Sequence, residues 1–382
     1  MRSSRTPGAI TAASARPAAS RPSPSTRPTS RPVVAKWSMR PLPKDQVNLL
    51  AMGDWGSGDK EQKTVAKALA RYVDETGVQF NGLLSLGDNF YVTLKDEEDY
   101  QFQSLFEDMF DARRINFPFY AAFGNHDYDK NKAKIEMAYA ARHPDSRWKI
   151  PARWYRVDLP PEAPLVTVLM LDSNKPHMSA DDWLRQMDWM AEQLAQVQSL
   201  PGTSKRWTVA CAHHPLFSNG AHGDNGVLQV HWGPIFKKYK LDFYVCGHDH
   251  DLQQLEMPGW PTSFVIAGGG GKRPTKMRRD LRGPFSKSIN GFSHLLFTPD
   301  RATVQFVSGG SGGAASQPTI VHQIQRTPDG RVTVLLKGGN DKASTRPLRV
   351  LLGLDGDEKK EDKKDEKKDE KKDAAPDEEL DP

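Results

Sequence analysis

Five short apolar segments of the chain are each followed directly by Asp, Asn or His, and four of them reach that residue through a glycine. The motifs that follow them are Gly53-Asp54-Trp55-Gly56, Gly87-Asp88-Asn89-Phe90-Tyr91, Gly124-Asn125-His126-Asp127, His213-His214-Pro215 and Gly247-His248-Asp249-His250. In α/β sheets, ligands bind beyond the carboxyl ends of the strands. A glycine before the polar residue lets the backbone turn sharply and approach a ligand. The pattern therefore predicts one site, assembled where five strands end.

The side chains in these motifs are oxygen and imidazole donors, without a thiolate. The candidate ligands are Asp54, Asp88, Tyr91, Asn125, His213, His248 and His250. Such donors suit iron, manganese or zinc, and the lack of sulfur argues against a structural zinc site. Seven ligands are too many for one ion with an open position but suit two ions that share a carboxylate. Two metals ~3.5–4 Å apart are a common device for displacement at phosphorus.

Each candidate taken singly has an ordinary structural explanation. Asp54 in a glycine-rich turn is a common turn-former, Asn125 could cap the helix that follows it, and Tyr91 could be a core aromatic residue. The joint occurrence of all seven, in order and each at a strand end, favours the dinuclear metal site over these separate explanations.

The rest of the sequence supplies the elements that must position these residues. Strands are predicted at Val47–Met52, Leu83–Leu86, Phe119–Phe123, Leu165–Leu171, Trp207–Ala212, Phe243–Cys246 and Phe264–Ala267. Helices are predicted between them at Gln62–Asp74, Tyr100–Phe110, Lys130–Arg142, Asp181–Gln198 and Trp232–Tyr239. This alternation indicates an α/β domain with a largely buried sheet. After Gly291 only strands are predicted, at Phe292–Phe297, Thr303–Val307, Thr319–Gln325 and Val332–Leu336, and we expect them to complete the sheet in antiparallel fashion.

The charge of the chain is concentrated at its two ends. The chain of 382 residues has a net charge of +5, but residues 1–46 carry +8 and residues 353–382 carry −6. We expect both ends to be disordered, since neither can bury enough apolar surface to offset the entropy of ordering. The expected catalytic domain, 47–352, carries only +3, which gives no reason to expect specific nucleic-acid binding. It includes a predicted C-terminal β-hairpin at about 319–337.

Two further classes are excluded by composition. Two cysteines cannot build a disulfide-rich scaffold, and no apolar run approaches the ~20 residues of a membrane-spanning helix. The sequence shows no secretory signal, and its Arg- and Ser-rich start is either a targeting extension or a plain disordered one. It leaves the compartment and the oligomeric state open.

Taken together, the five motifs resemble those of the calcineurin-like metallophosphoesterases. Tyr91, three residues after Asp88, resembles the purple acid phosphatases, and the tartrate-resistant (type 5-like) acid phosphatase branch matches best. The resemblance covers 47–310 and implies an α/β (α+β) fold, a four-layer α/β/β/α sandwich of two sheets flanked by helices. The animal enzymes of this branch carry a longer, cysteine-containing loop where this chain has only Ser173 to Ala180, so we do not expect activation by proteolysis.

The resemblance also implies a role for each candidate residue. It implies iron(III) at Asp54, Asp88, Tyr91 and His250, and a divalent ion (iron(II), zinc or manganese) at Asp88, Asn125, His213 and His248. It places His126 and His222 beside the phosphate, as catalytic residues that orient it or protonate the leaving oxygen, and leaves open which is the acid. His214 is expected to contact the ligand residues at most and not to bind a metal ion itself.

The activity implied is an acid phosphatase that hydrolyses phosphate monoesters with a metal-bound hydroxide. The expected substrates are small phosphate esters, with phosphoproteins as a second class. A metallophosphodiesterase or protein phosphatase of the same superfamily is the alternative, although the protein phosphatases carry an Arg shortly after the bridging-Asp motif that Asn89-Phe90-Tyr91-Val92 lacks. A non-catalytic binding protein is a third possibility, which the complete ligand set argues against.

Overall fold

Two β-sheets form the centre of the protein in a computed structural model, which describes residues 43, 45–199, 205–278, 282–310 and 317–337. The strands in chain order are β1 (Val47–Met52), β2 (Gly82–Leu86), β3 (Phe119–Ala122), β4 (Trp148–Lys149), β5 (Tyr155–Leu159), β6 (Val166–Met170), β7 (Trp207–Cys211), β8 (Phe243–Cys246), β9 (Leu252–Glu256), β10 (Ser263–Ala267), β11 (Phe285–Lys287), β12 (Gly291–Phe297), β13 (Ala302–Ser308), β14 (Thr319–Arg326) and β15 (Val332–Leu336). The tails expected to be disordered lie almost wholly outside the described residues.

The helices lie between the strands of the first two-thirds of the chain. They are α1 (Lys60–Thr76), α2 (Tyr100–Phe102), α3 (Lys132–Arg142), α4 (Ala180–Gln198), α5 (Gly226–His231) and α6 (Gly233–Lys238). A π-helical segment, Gln103–Glu107, continues α2, and short 3-10 turns occupy His126–Asn131 and Lys175–His177. None of the described helices combines the length and the apolar character needed to cross a lipid bilayer.

The sheets have mixed topology. One has the order β15-β14-β13-β12-β1-β2-β3-β4 and the other β11-β9-β10-β8-β7-β6-β5. Strands β1, β2 and β3 run parallel in the first, and β6, β7, β8 and β10 run parallel in the second. The carboxyl ends of parallel strands lie at one edge of their sheet, so each sheet presents one edge on which loops can build a site.

The alternation of apolar side chains between the two faces of each strand explains why the sheets are layered between helices. In β6, Val166, Val168 and Met170 belong to a core cluster shared with β1 and β12, whereas Leu169 packs in a second cluster with Trp183 of α4. Successive strand residues point to opposite faces, so one face of this sheet packs on the other sheet and its reverse face packs on helices. This is the four-layer α/β/β/α sandwich.

The predicted strands and helices agree with the structure in position, and the differences have local causes. The helix expected from Lys130 begins at Lys132, because Lys130 and Asn131 adopt left-handed backbone angles, with φ of 54° and 62°. The helix expected over Tyr100–Phe110 becomes π-helical from Gln103. The terminal strands β12 to β15 extend the sheet that contains β1, as expected, but the other strands divide between two sheets where the strand–helix pattern by itself suggested one.

Candidate metal centre

The seven candidate ligands come from the carboxyl ends of strands in both sheets. Asp54, Asp88 and Asn125 follow β1, β2 and β3, while His213 follows β7 and the His248–His250 segment follows β8. Backbone hydrogen bonds join the two edges: the Gly53 N–H donates to the Ala267 carbonyl over 2.8 Å, and the Gly270 N–H donates to the Gly53 carbonyl over 3.0 Å. The two sheets therefore meet at this edge, and the loops of both contribute to one site.

Strained backbone and two glycines allow this close approach. Asp54, Asp88 and His248 have φ of 61°, 50° and 73°, a region that non-glycine residues seldom adopt. A Cβ at Gly124 would lie 2.1 Å from an Asp88 oxygen, and one at Gly247 would lie 2.5 Å from an Asp54 oxygen. Glycine at these two positions is thus required by the packing of the carboxylates.

One half of the site surrounds the ring of His213. Its Nδ1 lies 2.9 Å from the Leu86 carbonyl oxygen, which only an N–H can satisfy, so Nε2 carries the lone pair. That Nε2 faces Asn125 Oδ1 at 3.1 Å, His248 Nδ1 at 3.1 Å and Asp88 Oδ1 at 3.5 Å. The facing atoms are acceptors or can be acceptors, and they converge on one small volume.

The other half of the site surrounds the ring of His250, which is held in the same way as that of His213. Its Nδ1 lies 3.2 Å from the Arg273 carbonyl oxygen, so Nε2 again carries the lone pair. Nε2 lies 3.3 Å from the Tyr91 hydroxyl and 3.6 Å from Asp54 Oδ1, and the Tyr91 hydroxyl lies 3.2 Å from that same oxygen.

The electrostatics of these buried groups indicate a site for cations. Burial and the nearby Asp88 raise the pKa of Asp54 well above its usual range, and burial with Asp54 raises that of Tyr91. Burial lowers the pKa of His213 and of His248, so neither readily becomes cationic. A buried carboxylate needs a compensating positive charge, and a bound metal ion would supply it and reverse these shifts. The donors present therefore fit metal ions, with oxygen and imidazole ligands of the kind that iron, manganese and zinc accept.

Sequence reasoning gave no role to Asp127, which holds two of the ligand loops together. Its carboxylate accepts from the backbone N–H groups of Asn89 (2.9 Å), Phe90 (3.2 Å) and Gly124 (2.8 Å). It thereby fixes the loop after β2 to the loop after β3. Burial, with the charge of Asp88, raises the pKa of Asp127 to about 7. In the sequence, this role is indicated by the position of Asp127 directly after His126 in the third motif.

The two histidines expected beside the phosphate lie on opposite halves of the site. The His126 ring lies 4.8 Å from the Tyr91 ring, and its Nδ1 lies 3.2 Å from Asp129 Oδ2. The His222 ring lies 4.1 Å from the His248 ring, and its Nδ1 lies 2.8 Å from Asp249 Oδ1. The hydrogen bond that the His222 ring donates to the Asp249 carboxylate raises the pKa of His222. Asp249 is a second supporting carboxylate that the sequence left without a role.

His214 lies against the site but is directed to a neighbouring hydroxyl. Its Nδ1 lies 2.8 Å from Ser173 Oγ, while its ring lies 4.5 Å from that of His248. A ring nitrogen of His214 nevertheless comes within 4.8 Å of ring nitrogens of His213 and His248. Burial, and then the neighbouring His213, lowers the pKa of His214 to about 3, so its ring is neutral.

The hydrogen bonds that Asp127 accepts lead to a first prediction. In Asp127→Asn the amide supplies one acceptor oxygen where the carboxylate supplies two, so the loops after β2 and β3 lose part of their connection. We expect the affinity for zinc or manganese to fall by about 10- to 100-fold, the usual effect of removing a group that orients metal ligands.

Metal titration followed by calorimetry measures this loss. Asp129→Asn is the matched control, since Asp129 is two residues away and its side chain is 62% exposed. Equal affinities for Asp127→Asn and the wild type would contradict the bracing role.

Comparisons with known proteins show the family of the chain. The family described as calcineurin-like phosphoesterase matches residues 47–252. The tartrate-resistant acid phosphatase type 5 of Mus musculus is 30% identical over 298 residues, which cover 69% of this chain and 88% of that protein. Purple acid phosphatase 17 of Arabidopsis thaliana is 32% identical over 281 residues, which cover 68% of this chain and 80% of that protein.

A solved structure extends the likeness to the fold. Purple acid phosphatase from yellow lupin (Lupinus luteus) seeds has a TM-score of 0.57 at 14% sequence identity, and the match covers 75% of this chain and 55% of that one. At this identity the structural likeness concerns the fold alone. The family match and the sequence relatives carry the assignment: the chain belongs to the calcineurin-like phosphoesterase family, with the purple acid phosphatases among its relatives.

Proposed function

We propose that the protein is an acid phosphatase that hydrolyses phosphate monoesters at a dinuclear metal centre. The observation that carries the proposal is the convergence of lone pairs from both sheets. The Nε2 atoms of His213 and His250 each face an oxygen ligand at 3.1–3.6 Å, with their protonated nitrogens held by backbone carbonyls. The purple acid phosphatases among the relatives support the same reaction.

We propose that the ligands form two sets that share Asp88. We propose iron(III) at Asp54, Asp88, Tyr91 and His250, and a divalent ion, which is iron(II), zinc or manganese, at Asp88, Asn125, His213 and His248. The short distances within each set support the division, since Tyr91 lies near Asp54 and His250 while Asn125 and His248 lie near His213. The phenolate and two carboxylates are anionic hard donors, which suit a trivalent ion.

When bound, two such ions lower the pKa of water to make a nucleophile and stabilise negative charge on the phosphoryl oxygens. The chain's own residues supply orientation and proton transfer. The Asp249 carboxylate fixes the tautomer and orientation of His222 through Nδ1, which leaves its Nε2 to meet the substrate. We propose His222 as the group that protonates the leaving oxygen and His126 as the one that orients the phosphate. Small phosphate esters are the proposed substrates, with phosphoproteins as a second class.

The activity itself is tested by comparing a monoester with a diester. We expect protein loaded with iron and zinc to hydrolyse 4-nitrophenyl phosphate at acidic pH, with a kcat/KM at least about tenfold above that for bis(4-nitrophenyl) phosphate. The metal-loaded Asp88→Ala variant is the control, since it lacks the shared ligand and should be inactive on both. A clear preference for the diester would favour the phosphodiesterase alternative.

The role of Tyr91 is tested by colour. A phenolate bound to iron(III) absorbs visible light, so the wild type should be purple and Tyr91→Phe should lose the visible band. Tyr128→Phe is the matched control, because that tyrosine stands two residues after His126 but donates its hydroxyl hydrogen to Asp172. A visible band that survives unchanged in Tyr91→Phe would show that another residue binds the iron.

The role of His222 is tested with substrates whose leaving groups differ in basicity. A general acid contributes most when the leaving oxygen is strongly basic, and such catalysis is typically worth about 10²–10⁴-fold. In His222→Ala we therefore expect kcat to fall about 100-fold for glycerol 2-phosphate but much less for 4-nitrophenyl phosphate, whose leaving group needs no proton. His126→Ala serves as the comparison, and we expect it to lower both rates in similar proportion. Equal losses on both substrates in His222→Ala would exclude it as the acid.

A further inference from the structure

We propose that a basic loop beside the metal centre selects small phosphate esters that carry a second anionic group on the leaving side. The loop comprises residues 272–278, and its cations, called here the basic rim, are Lys272, Arg273, Lys276 and Arg278. The inference rests on the proposed phosphatase activity and adds a substrate class to it.

The backbone of the loop is fixed to a proposed metal ligand. The Arg273 carbonyl accepts from His250 Nδ1 at 3.2 Å, and the Thr275 N–H donates to the His250 carbonyl at 3.1 Å. These two bonds place the start of the rim directly beside the half of the centre that contains Tyr91. Lys272 confirms this placement, since its ammonium group lies 4.6 Å from the centre of the Tyr91 ring.

The other end of the loop reaches the opposite half of the centre. The Arg278 N–H donates to the Asn219 carbonyl at 2.8 Å. Its guanidinium lies over Gly223, where an added Cβ would come within 3.0 Å of an Arg278 nitrogen. Gly223 follows His222, whose ring lies 4.1 Å from that of His248. The rim therefore runs along the mouth of the site from the Tyr91 side to the His222 side.

Three of the four rim cations are available to a ligand. Lys272 lies 3.5 Å from Asp59 Oδ2 and is partly neutralised. Arg273, Lys276 and Arg278 are exposed, and among the described residues no carboxylate lies within ion-pairing distance of them. This contrasts with Arg282 just beyond the loop, which is paired with Asp224 at 2.5 Å. The rim is thus a local excess of positive charge on a domain that is close to neutral.

The position of the rim indicates what it binds. The scissile phosphate would be held at the metal centre, so cations at the mouth meet the part of the substrate that leaves. Arginine binds phosphate and carboxylate groups through paired, planar hydrogen bonds, and a focused positive field attracts anionic substrates. Because the rim lies next to His250 and Gly223, a second anion within a small molecule can reach it while the scissile phosphate stays in place.

The test compares matched substrates in the full-length, metal-loaded protein. One pair is fructose 1,6-bisphosphate with fructose 6-phosphate, and the other is 4-carboxyphenyl phosphate with phenyl phosphate. In the triple variant Arg273→Gln, Lys276→Gln, Arg278→Gln we expect the kcat/KM ratio of doubly to singly anionic substrate to fall about tenfold, which corresponds to ~1.4 kcal/mol. The control variant is Lys63→Gln, Lys67→Gln, Lys134→Gln, which removes three exposed lysines from α1 and α3 and should leave the ratio unchanged.

If the kcat/KM ratio falls for the fructose phosphates, a second phosphate is the group recognised. If it falls for the phenyl phosphates, a carboxylate is recognised. The preference should also weaken as salt rises from 50 to 500 mM sodium chloride, since exposed charges are screened. If both ratios stay unchanged in the triple variant while 4-nitrophenyl phosphate is still hydrolysed, the inference is wrong and the phosphatase proposal stands. If the wild type hydrolyses none of these esters, the phosphatase proposal itself fails. A loss confined to an acidic phosphoserine peptide, compared with a neutral one, would overturn the inference in favour of a protein substrate.

Discussion

The structure depends on a cluster of electron lone pairs that face one another in a buried space. Asp54 and His213 are fully buried, and Asp88 is nearly so. Neither His213 Nε2 nor His250 Nε2 can donate a proton toward the oxygens it faces, because the other nitrogen of each ring is already bonded to a carbonyl. Without positive charge such an arrangement is unfavourable. Two bound cations would convert the same contacts into ligand bonds, so the feature that would destabilise the empty site would give the centre its affinity.

The fold holds this cluster together by joining two sheets at the edge where their parallel strands end. Each sheet alone provides only part of the candidate ligand set, the carboxylates and Asn125 from one and the histidines from the other. Asp127 and Asp249 then hold the loops in place through hydrogen bonds. Asp127 joins the loops after β2 and β3, and Asp249 orients His222. Burying these supporting carboxylates is costly, and the N–H groups that each one accepts from, with the Ser218 hydroxyl at Asp249, offset that cost.

Most of the site could be predicted from sequence because its ligands follow strands that are easy to recognise. Val47–Met52 and Phe243–Cys246 are buried apolar runs with polar residues directly after them, and both are strands with those bounds. What could not be predicted depends on contacts between distant segments. β9 (Leu-Gln-Gln-Leu-Glu) is a strand although it has no apolar run, because β10 and β11 pair with it on either side. The supporting roles of Asp127 and Asp249 and the course of the basic rim past Gly223 likewise appear only when the loops are brought together.

The dinuclear assignment can be tested by crystal diffraction from the purified protein loaded with iron and zinc, recorded on both sides of the iron and of the zinc absorption edge. Two anomalous peaks are expected a few ångströms apart. The one specific to iron should lie among Asp54, Tyr91 and His250, and the other among Asn125, His213 and His248, with Asp88 between them. A single peak, or iron bound away from Tyr91, would contradict the dinuclear assignment.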